Sequence, residues 1–254
     1  MIKKHYFLCI LSVVTLFFGC QSGKKISIIK NDLLGEFVLI EAGYFTKGYT
    51  KDQQEPCLFC GDTVELRMNS FYLGKTEVTQ AQWQIVMGEN PSSHICPNCP
   101  VENISYGQVD VFLSKINQNG KYKYRLPTTA EWEFTARGGI MDVTSKYPGS
   151  NNLDELAWYH KNSNDSTHEV GLKKPNELGL YDLAGNVMEF CKDIDGGMSI
   201  DGKAIKGGAY LSDTTSCKAS PTYYSIPRDL PVAENNKYTG FRLLMELNEK
   251  KKQN

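Results

Sequence analysis

The fold of this chain is decided by the block Gly179-Leu180-Tyr181-Asp182-Leu183-Ala184-Gly185-Asn186-Val187-Met188-Glu189-Phe190. Further blocks accompany it in a set order along the sequence. KTEVT at residues 75–79 and YRLPTTAEWEF at residues 124–134 precede it, and KGGAY at residues 206–210 with GFR at residues 240–242 follows it. Because these blocks are spread over most of the chain, the fold assignment does not depend on a single short motif.

The overall composition is that of an ordinary globular protein. Hydrophobic residues make up 41% of the 254 residues, charged residues make up 22%, and the formal net charge is -1. A chain with so little net charge lacks the basic field that attracts nucleic acid, so we expect no nucleic-acid partner.

In their order and spacing the four blocks resemble the formylglycine-generating enzyme family, also called the sulfatase-modifying factor family. The likeness covers about Phe37 to Leu244. It implies an α+β fold, a variant of the C-type lectin fold, with twisted antiparallel sheets, few helices and much irregular structure. Fold membership alone does not settle function, because one fold can carry many different sites.

The N-terminus has the organisation of an export signal. Lys3 and Lys4 precede an apolar run over residues 6–18, which is too short to span a bilayer as a helix. The run ends in Gly19-Cys20, which resembles a bacterial lipobox, so we expect a lipid such as palmitate on Cys20 and anchoring at the periplasmic side or cell surface. Plain signal cleavage and an uncleaved anchor are the alternatives. The predicted organisation is a signal peptide (1–19), a lipidated tether (20–35), the domain (36–247) and a basic tail (248–254).

Three helices are predicted from a shared N-terminal pattern. Thr79, Ser105 and Thr128 are each followed three residues later by Gln or Glu, which is the capping-box spacing. The second helix carries one apolar stripe, formed by Val109, Phe112, Leu113 and Ile116. Strands are predicted near residues 37–40, 43–48, 63–68, 71–74, 204–210 and 240–245, whereas residues 140–179 have little periodicity.

The resemblance also implies where catalytic chemistry would lie. Enzymes of this family use O2 to oxidise a cysteine of sulfatases to formylglycine, and they hold Cu(I) between two cysteines. Counted from Gly207, these positions are Ser212 and Cys217. Soft Cu(I) prefers thiolates, and a serine hydroxyl is a hard, poor ligand for it, so we do not expect copper. Cys217 is therefore a weak catalytic candidate, and we expect it to pair with Cys191 or simply to be buried.

A calcium site in the central block is a further implication of the resemblance. It would be formed by the side chains of Asp182 and Glu189 and the backbone carbonyls of Gly185 and Val187. Hard oxygens brought together by a turn suit calcium. The alternative is a capped turn in which Glu189 accepts hydrogen bonds from backbone amides. A weaker second cation site is expected at Asn162 and Ser163.

Six cysteines lie beyond Cys20, and an even number in an exported chain favours disulfides. Four of them form two C-x-x-C knuckles, Cys57 with Cys60 and Cys96 with Cys99. Disulfides between the two knuckles are the leading interpretation. A four-cysteine zinc site and a redox pair are the alternatives, which keeps zinc as an alternative cofactor.

An intact fold signature beside an incomplete copper pair predicts a non-catalytic, membrane-anchored protein that binds a protein partner or a small ligand. A formylglycine-generating oxidase is one alternative. A retroelement-diversified lectin-fold receptor is another, because the run from Cys217 to Arg242 resembles the variable tail of such receptors. Tyrosine and serine suit adaptable recognition. The predicted ligand face consists of Tyr210, Ser212, Tyr223 and Tyr224.

Overall fold

The computed structural model describes residues 26–48, 63–118, 121–141, 143–192, 199–200, 203–219 and 237–247. The helices are α1 (Gln80–Met87), α2 (Tyr106–Asn117), α3 (Thr129–Ala136) and α4 (Leu153–Leu156), with a 3-10 helix at Gly139–Met141. The strands are β1 (Ile28–Asn31), β2 (Gly35–Ile40), β3 (Gly43–Lys47), β4 (Val64–Met68), β5 (Phe71–Gly74), β6 (Tyr124–Arg125), β7 (Met188–Phe190), β8 (Ser199–Ile200), β9 (Lys203–Lys206), β10 (Thr239–Gly240) and β11 (Leu244–Met245). The predictions for the signal peptide, the basic tail, Cys20, Cys57, Cys60, Tyr223 and Tyr224 lie outside the described residues.

The strands form a five-stranded sheet in the order β1-β2-β5-β11-β6, a four-stranded sheet in the order β10-β7-β9-β8 and a two-stranded sheet of β3 and β4. The pairings are antiparallel except for the parallel pair of β10 and β7. Strand β11, near the C-terminus, lies between β5 and β6, with Leu244 opposite both Leu73 and Arg125. Antiparallel sheets with few helices confirm the predicted α+β class.

The first strand lies inside the segment predicted to be a tether. Ile28 pairs with Val38 and Asn31 pairs with Gly35, so β1 and β2 form a hairpin. At its turn, Asn31 Oδ1 accepts hydrogen bonds from the amides of Leu33 and Leu34, both at 2.9 Å. An asparagine that bonds the following backbone in this way stabilises a turn. The folded domain therefore begins before residue 36, and any tether is shorter than predicted.

All three predicted capping boxes are present. The side chains of Thr79, Ser105 and Thr128 each accept from the amide three residues ahead, and the Gln or Glu at that position accepts from the cap amide. Such reciprocal bonds satisfy backbone donors that a helix start leaves unpaired. The apolar stripe of α2 faces the core as expected, with Val109 and Phe112 fully buried.

Buried side chains fix the irregular segment between α3 and β7. Asn176 Nδ2 donates to the carbonyl of Thr135 at 2.8 Å, and Asn186 Oδ1 accepts from the amide of His168 at 3.0 Å. Such bonds replace the ladder of a regular element, which is how a long irregular stretch can persist inside a domain. In the part of the chain that the structure describes, no helix has the length and apolar character needed to cross a membrane.

Candidate functional site

The sequence blocks that define the fold meet at one buried group of side chains, the ionic cluster: Glu77, Trp132, Asp182, Glu189 and Arg242. Arg242 is fully buried, and its guanidinium donates to both carboxylate oxygens of Glu189, at 2.5 and 2.7 Å. Trp132 Nε1 donates to Glu189 Oε2 at 2.7 Å. A buried bidentate pair of this kind joins distant parts of the chain through strong, charge-assisted hydrogen bonds.

The ionic cluster contains an excess of acid. Both carboxyl oxygens of Glu77 and one of Asp182 are buried without a hydrogen-bond partner among the residues that the structure describes. Burial, followed by the neighbouring charge of Asp182, raises the pKa of Glu77 well above its usual value. Burial also raises the pKa of Asp182 to about 6. Glu77 and Asp182 therefore form a carboxyl pair suited to a shared proton or to a bound cation.

One of the predicted calcium ligands, Glu189, is already hydrogen-bonded to other side chains. Both oxygens of Glu189 are committed to Arg242 and Trp132, so Glu189 would have to leave these partners to bind a cation. Asp182 offers one orphaned oxygen, while its other oxygen accepts from the amide of Gly171 at 2.7 Å. Within the described ranges, no group of three or more His, Cys, Asp or Glu is placed to hold a metal ion. Calcium stays a prediction, with Glu77 as the better-placed second carboxylate.

The weaker second cation site falls on side chains that are already hydrogen-bonded. Asn162 Oδ1 accepts from the amide of Tyr159 at 2.9 Å, and its Nδ2 donates to the carbonyl of Ala157 at 3.0 Å. Ser163 Oγ donates to the carbonyl of Tyr210 at 2.8 Å. These bonds account for both residues as supports of the loop that precedes β7, and a cation there stays a prediction.

The loop that carries the two copper positions begins at the glycine pair. Gly208 has a φ of +73°, and a Cβ there would lie 3.0 Å from Cys217 Sγ and from the carbonyl oxygen of Ser216. Only glycine fits this position without strain. Ser212 is 6% exposed, and its Oγ accepts from the amide of Ala209 at 2.8 Å. Ser212 therefore fixes the loop from inside, and its place in the predicted ligand face stays a prediction.

Cys217 is closed inside an apolar cluster that includes Tyr147, Leu156, Tyr159 and Ala184. Burial, with a further contribution from Asp213, raises the pKa of the Cys217 thiol to about 12. A neutral thiol is a poor nucleophile and a poor metal ligand, because the thiolate is the reactive form. With a hydrogen-bonded hydroxyl at Ser212, the two positions offer one sulfur, whereas Cu(I) prefers a sulfur on each side, so the residues present do not make the expected copper pair.

The predicted disulfide between Cys191 and Cys217 is wrong. Both residues are buried thiols. Cys191 packs in the cluster beneath β2 and α3, whereas Cys217 packs in the cluster beside α4. The two residues are separated because each fills a different part of the apolar interior.

Tyr210, one of the residues predicted to form a ligand face, contacts a second tyrosine. The rings of Tyr210 and Tyr238 meet edge to face at 5.5 Å, and both are only partly buried. Burial, followed by the charges of Glu102 and the neighbouring tyrosine, raises the pKa of Tyr210. Tyr238 was not predicted as part of this face, although it stands two residues before the final Gly-Phe-Arg block. Partly exposed tyrosine rings are suited to recognition of another molecule.

The second C-x-x-C knuckle is closed on itself. Cys96 and Cys99 form a disulfide with a Cα–Cα distance of 5.2 Å. This excludes Cys96 and Cys99 from the expected cross-link between knuckles and from a four-cysteine zinc site, because a disulfide sulfur is no longer a thiolate ligand. A bond across three residues can form early and locally, whereas a cross-link between knuckles requires the chain to bring distant segments together.

The fold and the ionic cluster define the class of protein as an α+β domain of C-type-lectin type. A model of the sulfatase-modifying factor enzyme 1-like domain matches residues 29–247, and the chain belongs to this family. It is 32% identical to the chaperone protein LppX of Paenibacillus barcinonensis, over 73% of this chain and 79% of LppX. It is 29% identical to the formylglycine-generating enzyme of Thermomonospora curvata, over 65% of this chain and 61% of that enzyme. Among solved structures, it resembles Treponema denticola variable protein 1, with a TM-score of 0.67, 27% identity and coverage of 84% of this chain and 96% of that one.

Proposed function

We propose that this chain is an exported, lipid-anchored binding protein that holds a protein partner and does not form formylglycine. The observation that carries the proposal is the pair of residues at the copper positions. Ser212 presents a hard oxygen that already accepts a hydrogen bond, and Cys217 is a buried thiol with a raised pKa. Two-coordinate Cu(I) prefers a thiolate on each side, so this pair lacks the ligands for the oxidase chemistry.

The similarity to LppX supports a protein as the bound partner. LppX is named a chaperone, and a chaperone holds protein clients. Export and lipid anchoring are supported by the apolar run before Gly19-Cys20, which would make the membrane a second partner through the lipid on Cys20. The tyrosine pair of Tyr210 and Tyr238 is the proposed contact surface, because it is partly exposed and supported from below by the Ser163–Tyr210 hydrogen bond.

Copper loading and oxygen consumption test the proposal that the chain does not form formylglycine. The purified chain is loaded with Cu(I) and given a cysteine peptide with a sulfatase motif. We expect substoichiometric copper and no oxygen uptake above a Cys217→Ala variant. Ser212→Cys is the matched variant, because it restores the second sulfur, and we expect it to bind more copper than the unaltered chain. Stoichiometric copper in the unaltered chain, with turnover lost in Cys217→Ala, would establish the oxidase alternative.

Aggregation of a chemically unfolded exported protein, followed by light scattering, tests the binding half. We expect the chain to suppress scattering, and Tyr210→Ala to weaken this effect about tenfold, since a central aromatic contact is worth more than 1 kcal/mol. Tyr44→Ala is the matched control, because Tyr44 is 64% exposed on the two-stranded sheet. Equal suppression by both variants would remove the tyrosine pair from the binding surface.

A diversified surface receptor is the second candidate function, and the likeness to the variable protein of Treponema denticola favours it. In that case the residues after Cys217 would vary between copies of the gene. Sequencing the DNA beside the coding region tests this directly. A near-identical template repeat of the segment would support diversification, and its absence would remove the idea.

A further inference from the structure

The two cysteines of the disulfide knuckle at residues 96–99 differ in exposure, and the proposed binding role does not depend on this difference. Cys96 is partly exposed, whereas Cys99 is 2% exposed. Cys96 is therefore the more accessible of the two cysteines to a thiolate from another molecule. Exchange of a disulfide requires attack on one sulfur while the other leaves, so a difference in accessibility favours one outcome of the reaction.

The knuckle is held in shape without its disulfide. The amide of Cys99 donates to the carbonyl of Cys96 at 2.9 Å, closing a turn with Pro97 at its second position. The first amides of α1 hold the other side: Gln80 donates to the carbonyl of Cys99 at 2.9 Å, and Ala81 donates to the carbonyl of Pro97 at 3.0 Å. Two more bonds join the amide of Cys96 to Gln80 Oε1 and the amide of Val170 to the carbonyl of Asn98.

This disulfide contributes little as a structural cross-link. The stabilisation that a disulfide provides through the unfolded state grows with the number of residues it encloses, and here the sequence separation is 3. Since backbone bonds already fix each residue of the turn, opening the disulfide leaves the local fold in place. A bond that can open without unfolding is suited to exchange.

An exposed apolar side chain next to Cys96 is available for contact with a partner protein. Ile95, directly beside it, is 68% exposed and offers an apolar contact to a partner chain. The N-terminus of α1 lies beside the knuckle, because the amides of Gln80 and Ala81 donate to the carbonyls of Cys99 and Pro97.

We propose that Cys96–Cys99 is an exchangeable disulfide that accepts two electrons from a dithiol in a partner protein. A partner thiolate attacks Cys96 Sγ, a mixed disulfide forms, and Cys99 leaves as a thiolate. The partner's second thiolate then attacks the partner sulfur of the mixed disulfide, which forms the partner's own disulfide and releases Cys96. The two protons of the partner's thiols end on Cys96 and Cys99. This activity stands independently of whether the tyrosine pair holds a client.

Trapping of a mixed disulfide tests the proposal on the full chain, in a background where Cys57 and Cys60 are alanine. Cys99→Ser leaves Cys96 as a thiol, and Cys96→Ser leaves Cys99. With oxidised glutathione as the probe, we expect Cys99→Ser to form a mixed disulfide about tenfold faster or more, because Cys96 is the more accessible cysteine. Equal rates in the two variants would overturn the assigned direction of attack.

A second measurement uses the parent of these two variants, which keeps both Cys96 and Cys99. It therefore does not require either variant to fold. It is equilibrated in glutathione buffers, quenched with an alkylating agent and analysed by mass spectrometry. We expect reduced and oxidised Cys96–Cys99 to coexist while thermal unfolding stays cooperative. A disulfide that remains closed until the protein unfolds is a structural cross-link only, and that result overturns the proposal. Neither experiment involves copper or client binding, so its failure is separate from failure of the proposed function.

Discussion

The ionic cluster and the loop of residues 207–217 come from the same set of sequence blocks, yet they differ in what they can do. In the ionic cluster, Arg242, Glu189 and Trp132 bind one another in the interior. In the loop, Ser212 and Cys217 each bind or pack against their own surroundings, and neither supplies a thiolate. The residues that identify this family therefore form the interior of the fold. The chemistry of the family depends instead on positions in the loop, which can change without disturbing that interior.

The largest effect is expected from breaking the ionic cluster. Arg242→Met leaves Glu189 buried with no cationic partner, and we expect it to lower the free energy of unfolding by about 3–5 kcal/mol. Urea denaturation measures this. Lys75→Met is the matched control, because the Lys75–Glu36 pair is about 30% exposed and such pairs contribute about 0–1 kcal/mol. A similar small loss in both variants would mean that the ionic cluster does not hold the blocks together.

The carboxyl pair predicts an unusual pH dependence of stability. The pKa of Asp182 is about 6 in the folded chain, above its ordinary value of 3.8, so between these values the native state binds more protons than the unfolded state. The free energy of unfolding should therefore fall as the pH rises from about 4 to about 6, by about 1–3 kcal/mol. Asp182→Asn removes this contribution. The exposed Asp110→Asn is the control, and equal pH slopes in the two variants would contradict the assignment.

Calcium provides a second test of the carboxyl pair, because a cation bound between Glu77 and Asp182 would replace a proton shared by them. If calcium binds at Asp182 and Glu77, a concentration one hundredfold above Kd stabilises the chain by about 2.7 kcal/mol at pH 7. Thermal unfolding in calcium and in EDTA measures the difference. We expect Asp182→Asn to lose the effect and Asp110→Asn to keep it. An unchanged melting temperature in calcium would leave the proton as the only occupant of the pair.

Trp132→Phe is expected to destabilise the chain less than Arg242→Met does. It removes the indole N–H that donates to Glu189 Oε2 while keeping an aromatic ring in the core. Loss of one hydrogen bond to a buried charge should cost about 1.5–3 kcal/mol in urea denaturation. Trp83→Phe is informative beside it, because Trp83 is equally buried but its Nε1 has no hydrogen-bond partner among the described residues. If Trp83→Phe costs as much, the loss comes from packing and not from the hydrogen bond.

The smallest effect belongs to the loop. Ser212→Ala removes the acceptor of the Ala209 amide, and we expect a loss of about 1 kcal/mol. Cys217 should stay unreactive toward a thiol reagent in the native chain, since its pKa is raised to about 12 and it is buried. Rapid labelling of Cys217 in the folded chain, or a loss after Ser212→Ala as large as that of Arg242→Met, would erase the difference between the two regions.

The local patterns predicted the helices well, because their signals are short-range. The capping boxes at Thr79, Ser105 and Thr128 need only four adjacent residues, and all three are confirmed. Strand β1 was missed because Ile28–Asn31 follows a polar stretch and becomes a strand only through pairing with β2. A strand stabilised by a neighbour does not need a strong pattern of its own.

The site was harder to predict, because its partners are distant in sequence. Glu189 and Arg242 are 53 residues apart, and nothing in the spacing indicates that the arginine takes the carboxylate expected to bind calcium. A usable signal was present: Arg242 stands inside the run Gly-Phe-Arg-Leu-Leu-Met, and a charge within an apolar run is typical of a buried ion pair. The wrong pairing of Cys191 with Cys217 has the same origin, since an even count of cysteines does not give their positions.

The central position of β11 in the five-stranded sheet has a consequence for the order in which this chain folds. Leu244 and Met245 fill the gap between β5 and β6, and Arg242 completes the ionic cluster, and these residues follow the other four strands of the sheet in the sequence. Because a chain is synthesised from its N-terminus, the five-stranded sheet cannot close until β11 has been made. A chain interrupted before β11 would leave β5 and β6 without the strand between them, and so with open sheet edges.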